Sequence, residues 1–456
     1  MPIKGKVIEL SSSSSSSSIE AEMLVNSLNR LKNNTDNINF KDIAKRISSA
    51  SKSSGPTEDR ISYVKNITKK TDVLPATIEW DSNDATDTYV KKANSKYVDL
   101  NDWLADFDAK MMYVKSGTTG HTFKGISTED KNISSSDSKP LFAIKVSAYP
   151  KDKDYGRFSD LERPENAELS MIALLSKFVT NKQTPHLVLP IYNFRTHIKY
   201  FTNNEAESFA KKISERKSDD SYLKFINKYK EGEFEDFVSI LISEWADGGD
   251  LLDYVRKNYE KISVLEWKVI FFQIIFTLAT IQNKYPCFRH NDLKANNVLV
   301  FRADSNKSDK IKHFRYNYTK TQKDKNIKLR FKVPDLGLRL AIWDFDFACI
   351  KGIVENKKVN ARWTKKLNIS SDQNRYYDVH YFVNTLMSKR FFKNFYDGVP
   401  DEVIEFCHRI VPPEYREGGK YAVKEKQRVN VKKELITPEQ IIMQDQFFAE
   451  FRQFIY

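Results

Sequence analysis

The chain has 456 residues, 40% of them hydrophobic and 13% aromatic, which is too apolar for wholesale disorder and too long for one compact core. Its 74 Lys and Arg against 61 Asp and Glu give a formal charge of +13, but the two signs are interspersed and no zinc-finger, RNP-type or basic-zipper pattern occurs, so specific nucleic-acid binding is not expected. Cys287, Cys349 and Cys407 are odd in number and widely spaced, which excludes a disulfide framework or a CxxC metal site and fits a reducing compartment; no run of eighteen apolar residues occurs, so no transmembrane segment or standard secretion signal is expected.

Residues 1–100 open on a serine run and stay rich in Asn, Ser and Lys, which predicts a mostly flexible extension with short helical patches such as IEAEMLVNSLNRL. From about Asp102 the alternation predicts strands at AKMMYVKS, HTFKGIS and LFAIKVSAY, then a helix over ENAELSMIALLSKFV. Two further strands fit HLVLPIYNF and FVSILISEW, with a charged insertion at 203–236 between them. Together, residues 101–246 read as a small, mainly antiparallel lobe with one helix. Residues 247–456 read as a larger helical lobe: helices at DLLDYVRKNY and VLEWKVIFFQIIFTLATIQNKY, a strand at VLVF, a basic insertion at 302–338, a strand at LAIW, and helices at YYDVHYFVNTLM and PEQIIMQDQFFAEFRQFI. The fold class is therefore α+β, in two lobes.

Chemistry concentrates in RHNDLKANNVLV, where Asp292, Lys294 and Asn297 precede an apolar strand. Phosphoryl transfer needs this set: a carboxylate to orient a hydroxyl and take its proton, a lysine to offset phosphate charge, and a carboxamide oxygen for magnesium. Asp344 in IWDFDFA follows a second apolar strand and suits the other metal ligand. Lys145 lies in the middle of the apolar strand AIKV, where an ammonium needs anions, here ATP phosphates and Glu168 on the next helix, with Glu165 one turn earlier as the alternative. Upstream, Gly117, Thr118, Thr119 and Gly120 form a turn suited to laying backbone amides over phosphates. In ISEWADGGDLLDYV, Glu244 and Ala246 are placed to offer backbone hydrogen bonds to adenine and Asp250 to approach the ribose. Each element has a plainer structural reading, as a hairpin turn, an edge lysine or a strand-to-helix turn; their order along the chain is what joins them.

In that order the motifs resemble the protein kinases: glycine loop, A-I-K, helix glutamate, hinge, H-x-D-L-K-x-x-N and D-F-x. HNDLKANNVLVF, DFDFACIKGI and YYDVHYFVNTL more narrowly resemble the serine/threonine kinases packaged in poxvirus particles and their relatives in other large DNA viruses. The resemblance implies ATP and Mg2+, with Mn2+ as the alternative metal, viral structural or host proteins as substrates, and a place in the virion and the host cytoplasm. It also assigns Asp378 to bracing the catalytic loop.

Asn291 stands for the arginine of H-R-D, Asp346 for the glycine of D-F-G and Ala295 for the loop proline; Lys115 and Thr122 replace the first glycine and the valine of the phosphate loop, and no A-P-E follows Asp344. Without an arginine beside Asp292, phosphorylation of the segment at about 348–375 is not expected to control activity. Arg362, Lys365, Lys366 and Arg375 would screen a phosphate on Thr364, Ser370 or Ser371 without tying it to the catalytic loop. Two other readings stay open: a small-molecule phosphotransferase of the aminoglycoside or choline kinase type, suggested by the pair Asp344 and Asp346, and a catalytically silent pseudokinase scaffold.

Overall fold

The computed structural model describes residues 57–68 and 96–454, with interruptions at 118–119, 129–139, 152–154, 218, 303–311, 323–324, 423–426 and 432. The helical patch expected at IEAEMLVNSLNRL lies outside the described residues. Within the stretch read as an extension, α1 (Thr57–Thr68) is a docked helix. Val64 and Ile67 are buried, and the Ile67 carbonyl accepts the Tyr192 hydroxyl at 3.1 Å. Two apolar residues three apart on one helical face were too sparse a signal among the polar residues around them. A second short helix, α2 (Leu100–Asp106), is capped by Asp99, whose carboxylate accepts Asn101 N at 2.9 Å.

The expected small-lobe strands form one antiparallel sheet: β1 (Ala109–Ser116), β2 (His121–Ser127), β3 (Pro140–Pro150), β4 (Pro190–His197) and β5 (Phe234–Ser243), in the order β1-β2-β3-β5-β4. Between β3 and β4 runs α3 (Pro164–Thr180), which starts on a proline and is buried along nearly its whole length. β4 starts at Pro190, later than expected, because residues 186–189 turn to the rest of the chain: Leu187 bridges Ile342, and Ile342 N donates to His186 O at 2.9 Å. The charged insertion at 203–236 holds two helices, α4 (Asn204–Lys217) and α5 (Ser221–Lys230). α5 buries Tyr222, Phe225 and Ile226, and Tyr222 stacks on Tyr113 with ring centroids 5.4 Å apart. Three apolar residues at helical spacing are enough to dock a helix whose other faces are charged.

Helices dominate the rest. α6 (Leu251–Asn258) leads into α7 (Val264–Lys284), which opens on a Ser263 cap and buries Phe271, Phe272 and Phe276. At 21 residues α7 is long and apolar enough to cross a membrane, yet it lies mostly inside the protein, and the core of the larger part is built around it. β6 (Phe288–Arg289) and β7 (Val298–Arg302) flank the catalytic motif. The basic insertion at 302–338 is a hairpin, β8 (His313–Gln322) and β9 (Lys325–Pro334), paired from His313↔Pro334 to Gln322↔Lys325. Its alternation explains this: Phe314, Tyr316 and Tyr318 share one face, and Tyr316 packs its ring 5.0 Å from Phe276 on α7.

β10 (Leu338–Ile342) pairs with β7, and β11 (Cys349–Ile350) pairs with β6. After α8 (Arg362–Lys365) come α9 (Tyr376–Met387), which is fully buried, and α10 (Asp401–Ile410), which buries one face. The helix expected over residues 438–455 is instead α11 (Pro438–Gln444), a 3-10 turn and β12 (Arg452–Phe454), which adds to the hairpin along β9. Asp445 breaks that helix by capping the following turn, its carboxylate accepting Phe447 N at 2.9 Å. The architecture is mixed helix and antiparallel sheet.

Candidate active site

Lys145 sits at the centre of β3, held by ladder pairing to Thr122 on β2 and Leu241 on β5. Its ammonium is buried and bonds Glu168 Oε1 at 2.5 Å and Asp344 Oδ1 at 2.7 Å. Glu165, the alternative partner, is engaged by Arg163 Nε at 2.8 Å, so the lysine's partner on α3 is Glu168. Burial alone would drive Lys145 toward the neutral amine, but Asp344, Glu168 and Asp346 outweigh it and hold the ammonium above its ordinary value. Burial would likewise raise Asp344, and Lys145 reverses this and holds its carboxyl well below the usual range. Glu168 stays above its ordinary value because burial and the neighbouring carboxylates exceed the pull of Lys145. Asp346 pairs with the buried Lys358. Three carboxylates thus face two ammonium groups, leaving a surplus negative charge beside Asp344, whose side chain remains one-third exposed.

The catalytic motif is strung between β6 and β7. Asp378 on α9 accepts His290 N at 2.7 Å and Asn291 N at 2.9 Å, pinning the loop from below. Asn291 takes a left-handed conformation, φ 62°, which an asparagine tolerates. Lys294 Nζ donates to Asp292 Oδ2 at 3.0 Å, and Asn297 Nδ2 donates to the same oxygen at 3.1 Å and to the Asp292 carbonyl at 2.9 Å. With its amide nitrogen so committed, Asn297 keeps its amide oxygen as a free acceptor. Trp343 N donates to Asn297 O at 3.0 Å, which places Asn297 beside Asp344, itself at φ 65°. Among the described residues no cluster of three or more His, Cys, Asp or Glu could hold a metal by itself. One carboxylate and one carboxamide oxygen suit instead a cation that takes its other ligands from phosphate and water.

At the glycine turn, Gly117 N donates to Gly120 O at 2.8 Å; Thr118 and Thr119 lie outside the described residues. A Cβ on Gly120 would stand 3.0 Å from Val146 O and 3.4 Å from Lys145 Cε, so the turn closes directly over the lysine. The Glu244 carboxylate is turned to α1, where Arg60 Nε donates to it at 2.8 Å, and only its backbone is left for a ligand. Among the described residues Ala246 has no backbone partner. Gly248 could not carry a side chain, since a Cβ would meet Val300 at 2.7 Å. Asp250 is doubly occupied: Oδ1 caps α6 at Asp253 N, 3.0 Å, and Oδ2 pairs with the exposed Lys115 at 3.2 Å.

The segment after Asp344 is tied to the catalytic loop without any phosphate. Arg289, at the head of the catalytic loop, donates to Ser370 Oγ at 3.0 Å and Asn368 O at 2.8 Å while stacking 3.8 Å over Tyr377, so a basic residue does tie segment and loop together. Asn291 Nδ2 adds bonds to Phe347 O at 3.1 Å and Ser370 O at 3.2 Å. The Thr364 hydroxyl is buried and bonded to Val359 O at 2.8 Å, not presented to solvent. A second arginine, Arg428, reaches Asp292 itself, with Nη2 2.5 Å from Oδ1. Both were missed: Arg428 stands among basic and polar residues, where a charged residue signals only a wet surface, and Arg289 opens the catalytic motif but has no part in its phosphoryl-transfer set.

Comparison with known proteins points to one family. The family model described as poxvirus serine/threonine protein kinase matches residues 250–437. A protein of Acanthamoeba polyphaga mimivirus, provisionally named as a serine/threonine-protein kinase, is 48% identical over 399 residues, 87% of this chain and 81% of that one. Serine/threonine-protein kinase 2 of vaccinia virus (strain Western Reserve) is 36% identical over 123 residues, 26% of this chain and 23% of its own. The protein of that name in swinepox virus (strain Kasza) is 24% identical over 233 residues, 44% of this chain and 47% of its own, so the matches take in under half of either poxvirus relative. Because the mimivirus match runs through most of both sequences, the chain belongs to the family of viral serine/threonine protein kinases that the poxvirus model describes.

Proposed function

We propose that the chain moves the γ-phosphate of ATP to serine or threonine hydroxyls of viral structural or host proteins, in the virion and the host cytoplasm. ATP would lie between two lobes, residues 101–246 and 247–456, with residues 1–100 as an extension that contributes α1. The observation that carries the reading is Lys145 bonded at once to Glu168 at 2.5 Å and to Asp344 at 2.7 Å, which joins the sheet to the metal-ligand side. A buried ammonium between two carboxylates is placed to receive phosphate oxygens.

Asp292 orients the incoming hydroxyl and accepts its proton, while Lys294 supplies positive charge beside it. The Asn297 amide oxygen and the Asp344 carboxylate would hold Mg2+, or Mn2+ in its place, and the surplus negative charge around Asp344 fits a divalent cation. When bound, the metal offsets charge on the phosphate oxygens during transfer. The turn at Gly117 and Gly120 would lay its backbone over the phosphates, the Glu244 carbonyl and the Ala246 backbone would face adenine, and Asp250 would reach the ribose through the oxygen that Lys115 now holds. Against the small-molecule phosphotransferase stand Lys294, two residues after Asp292, and the relatives named as serine/threonine-protein kinases.

Transfer of labelled γ-phosphate to casein and to basic protein, beside choline and an aminoglycoside, tests the reading with Asp292→Ala as control. Label on protein serine or threonine that disappears in the control supports it; label on choline or aminoglycoside alone rejects it.

A further inference from the structure

We infer that Arg428 is the positioning residue of the catalytic base, making residues 427–431 a part of the active site; this rests on Asp292 being that base. The guanidinium donates to Asp292 Oδ1 at 2.5 Å, to the Asn291 carbonyl and to the Tyr377 hydroxyl at 3.0 Å, and lies 4.1 Å over the Tyr381 ring. Only 6% of Arg428 is exposed. A guanidinium taken out of water is retained where its countercharge and hydrogen bonds are fixed, and Asp292 is its carboxylate partner among the described residues.

The backbone on both sides of Arg428 is clamped. Asn384 Nδ2 donates to Gln427 O at 3.0 Å, Asn368 Nδ2 to Val429 O at 2.8 Å and Asn374 Nδ2 to Val431 O at 2.9 Å. Two of those asparagines precede α9 in the segment that follows Asp344, so the guanidinium is held by the same stretch of chain that Arg289 ties to the catalytic loop.

The consequence for transfer is geometric. Lys294 and Asn297 hold Oδ2 and so restrain the carboxylate's last torsion at one oxygen only, leaving Oδ1 to be held by a further partner. Arg428 fixes that torsion with one hydrogen bond and leaves Oδ1 a lone pair for the hydroxyl of the substrate. Asn291 removes the cation that the kinase pattern places next to the base, and Arg428, 136 residues away in sequence, supplies one.

The test is steady-state kinetics of the full chain with ATP and casein for wild type, Arg428→Ala, Arg428→Lys and Asp292→Ala, with and without guanidinium. Arg428→Ala is expected to lose about 100-fold in kcat with KM for ATP changed less than about threefold, since the residue acts on the reacting geometry and not on nucleotide binding. Guanidinium at about 10 mM should restore Arg428→Ala about tenfold and leave Asp292→Ala unchanged, an effect that a purely structural arginine would not give. A kcat within about threefold of wild type, or a loss that neither guanidinium nor Arg428→Lys recovers, overturns the inference. Should Arg428→Ala fail to fold, Arg428→Gln carries the test: a fall of about tenfold or more in kcat at an unchanged melting temperature supports the role, and wild-type kcat overturns it. Full activity in Asp292→Ala would overturn the assignment of the base instead.

Discussion

Lys145 and Arg428 are the same device in two settings: a buried cation bonded to a carboxylate of the site, at 2.7 Å from Asp344 in one case and 2.5 Å from Asp292 in the other. Lys145 is set by strand pairing on both sides, whereas Arg428 stands on an irregular stretch held by three asparagine side chains. Ladder hydrogen bonds survive almost any side-chain change, but a side-chain clamp can be cut by one substitution. The first cation is built into a sheet; the second depends on its neighbours.

The hardest way to break the pairing is to remove the carboxylate. Asp344→Ala takes away both the proposed metal ligand and one carboxylate partner of Lys145, and should lower magnesium-dependent transfer by about a thousandfold or more without loss of circular dichroism. Wild-type rates in that variant would show that the metal is held elsewhere. Lys145→Met should lose about a hundredfold or more, Glu168→Gln about tenfold and Glu165→Gln less than about threefold. A larger effect at Glu165 than at Glu168 would move the functional ion pair one helical turn.

The clamp prediction separates the two settings. The double variant Asn368→Ala, Asn374→Ala should lower kcat about tenfold with little change in KM for ATP, because the guanidinium loses its fixed backbone while the nucleotide side is untouched. Equal loss in kcat and in nucleotide affinity would mean that the two regions are not separable. Arg60 is a further buried cation, bonded to Glu244 but to none of the reacting groups, so Arg60→Met should lower stability. Breaking that buried pair is expected to lower unfolding free energy by about 3 kcal/mol in urea titration, and an unchanged midpoint would show that α1 is not held by it.

The smallest effect is expected from phosphatase treatment. Arg289 and Asn291 already bind Ser370 and the backbone around it, so treated protein and Ser370→Ala, Ser371→Ala should keep initial rates within about threefold of untreated enzyme. Thr364 is buried, and its replacement reports on packing instead. A loss of about a hundredfold, regained on rephosphorylation, would mean that Arg289 binds a phosphate as well as it binds the serine hydroxyl.

How far the site could be read in advance follows from this contrast. Lys145 is conspicuous because its background is Ala143, Ile144 and Val146, where a charge has to have a reason. Arg428 sits in KEKQRVNVKK, where one more basic residue carries no information, and nothing in the spacing links it to Asp292. The strands of the small sheet and helices such as α7 and α9 were legible from periodicity. The β8–β9 hairpin was hidden by the basic residues of its outward face, and α1 by the long polar stretch it sits in, which leaves only Val64 and Ile67 of its side chains as fully buried apolar residues. Roles that belong to single motifs can be read along the chain; braces that cross it become visible only in space.

The 136-residue interval between Asp292 and Arg428 also orders events in time. At a synthesis rate of about 5–20 residues per second, Arg428 is added about 7–27 s after Asp292. During those seconds the growing polypeptide already contains every motif residue of its catalytic loop, yet nothing holds Oδ1 of the base. A ribosome making this protein therefore carries the catalytic-loop residues before the arginine that braces them, and the proposed alignment of Asp292 waits until the segment around Arg428 has been made.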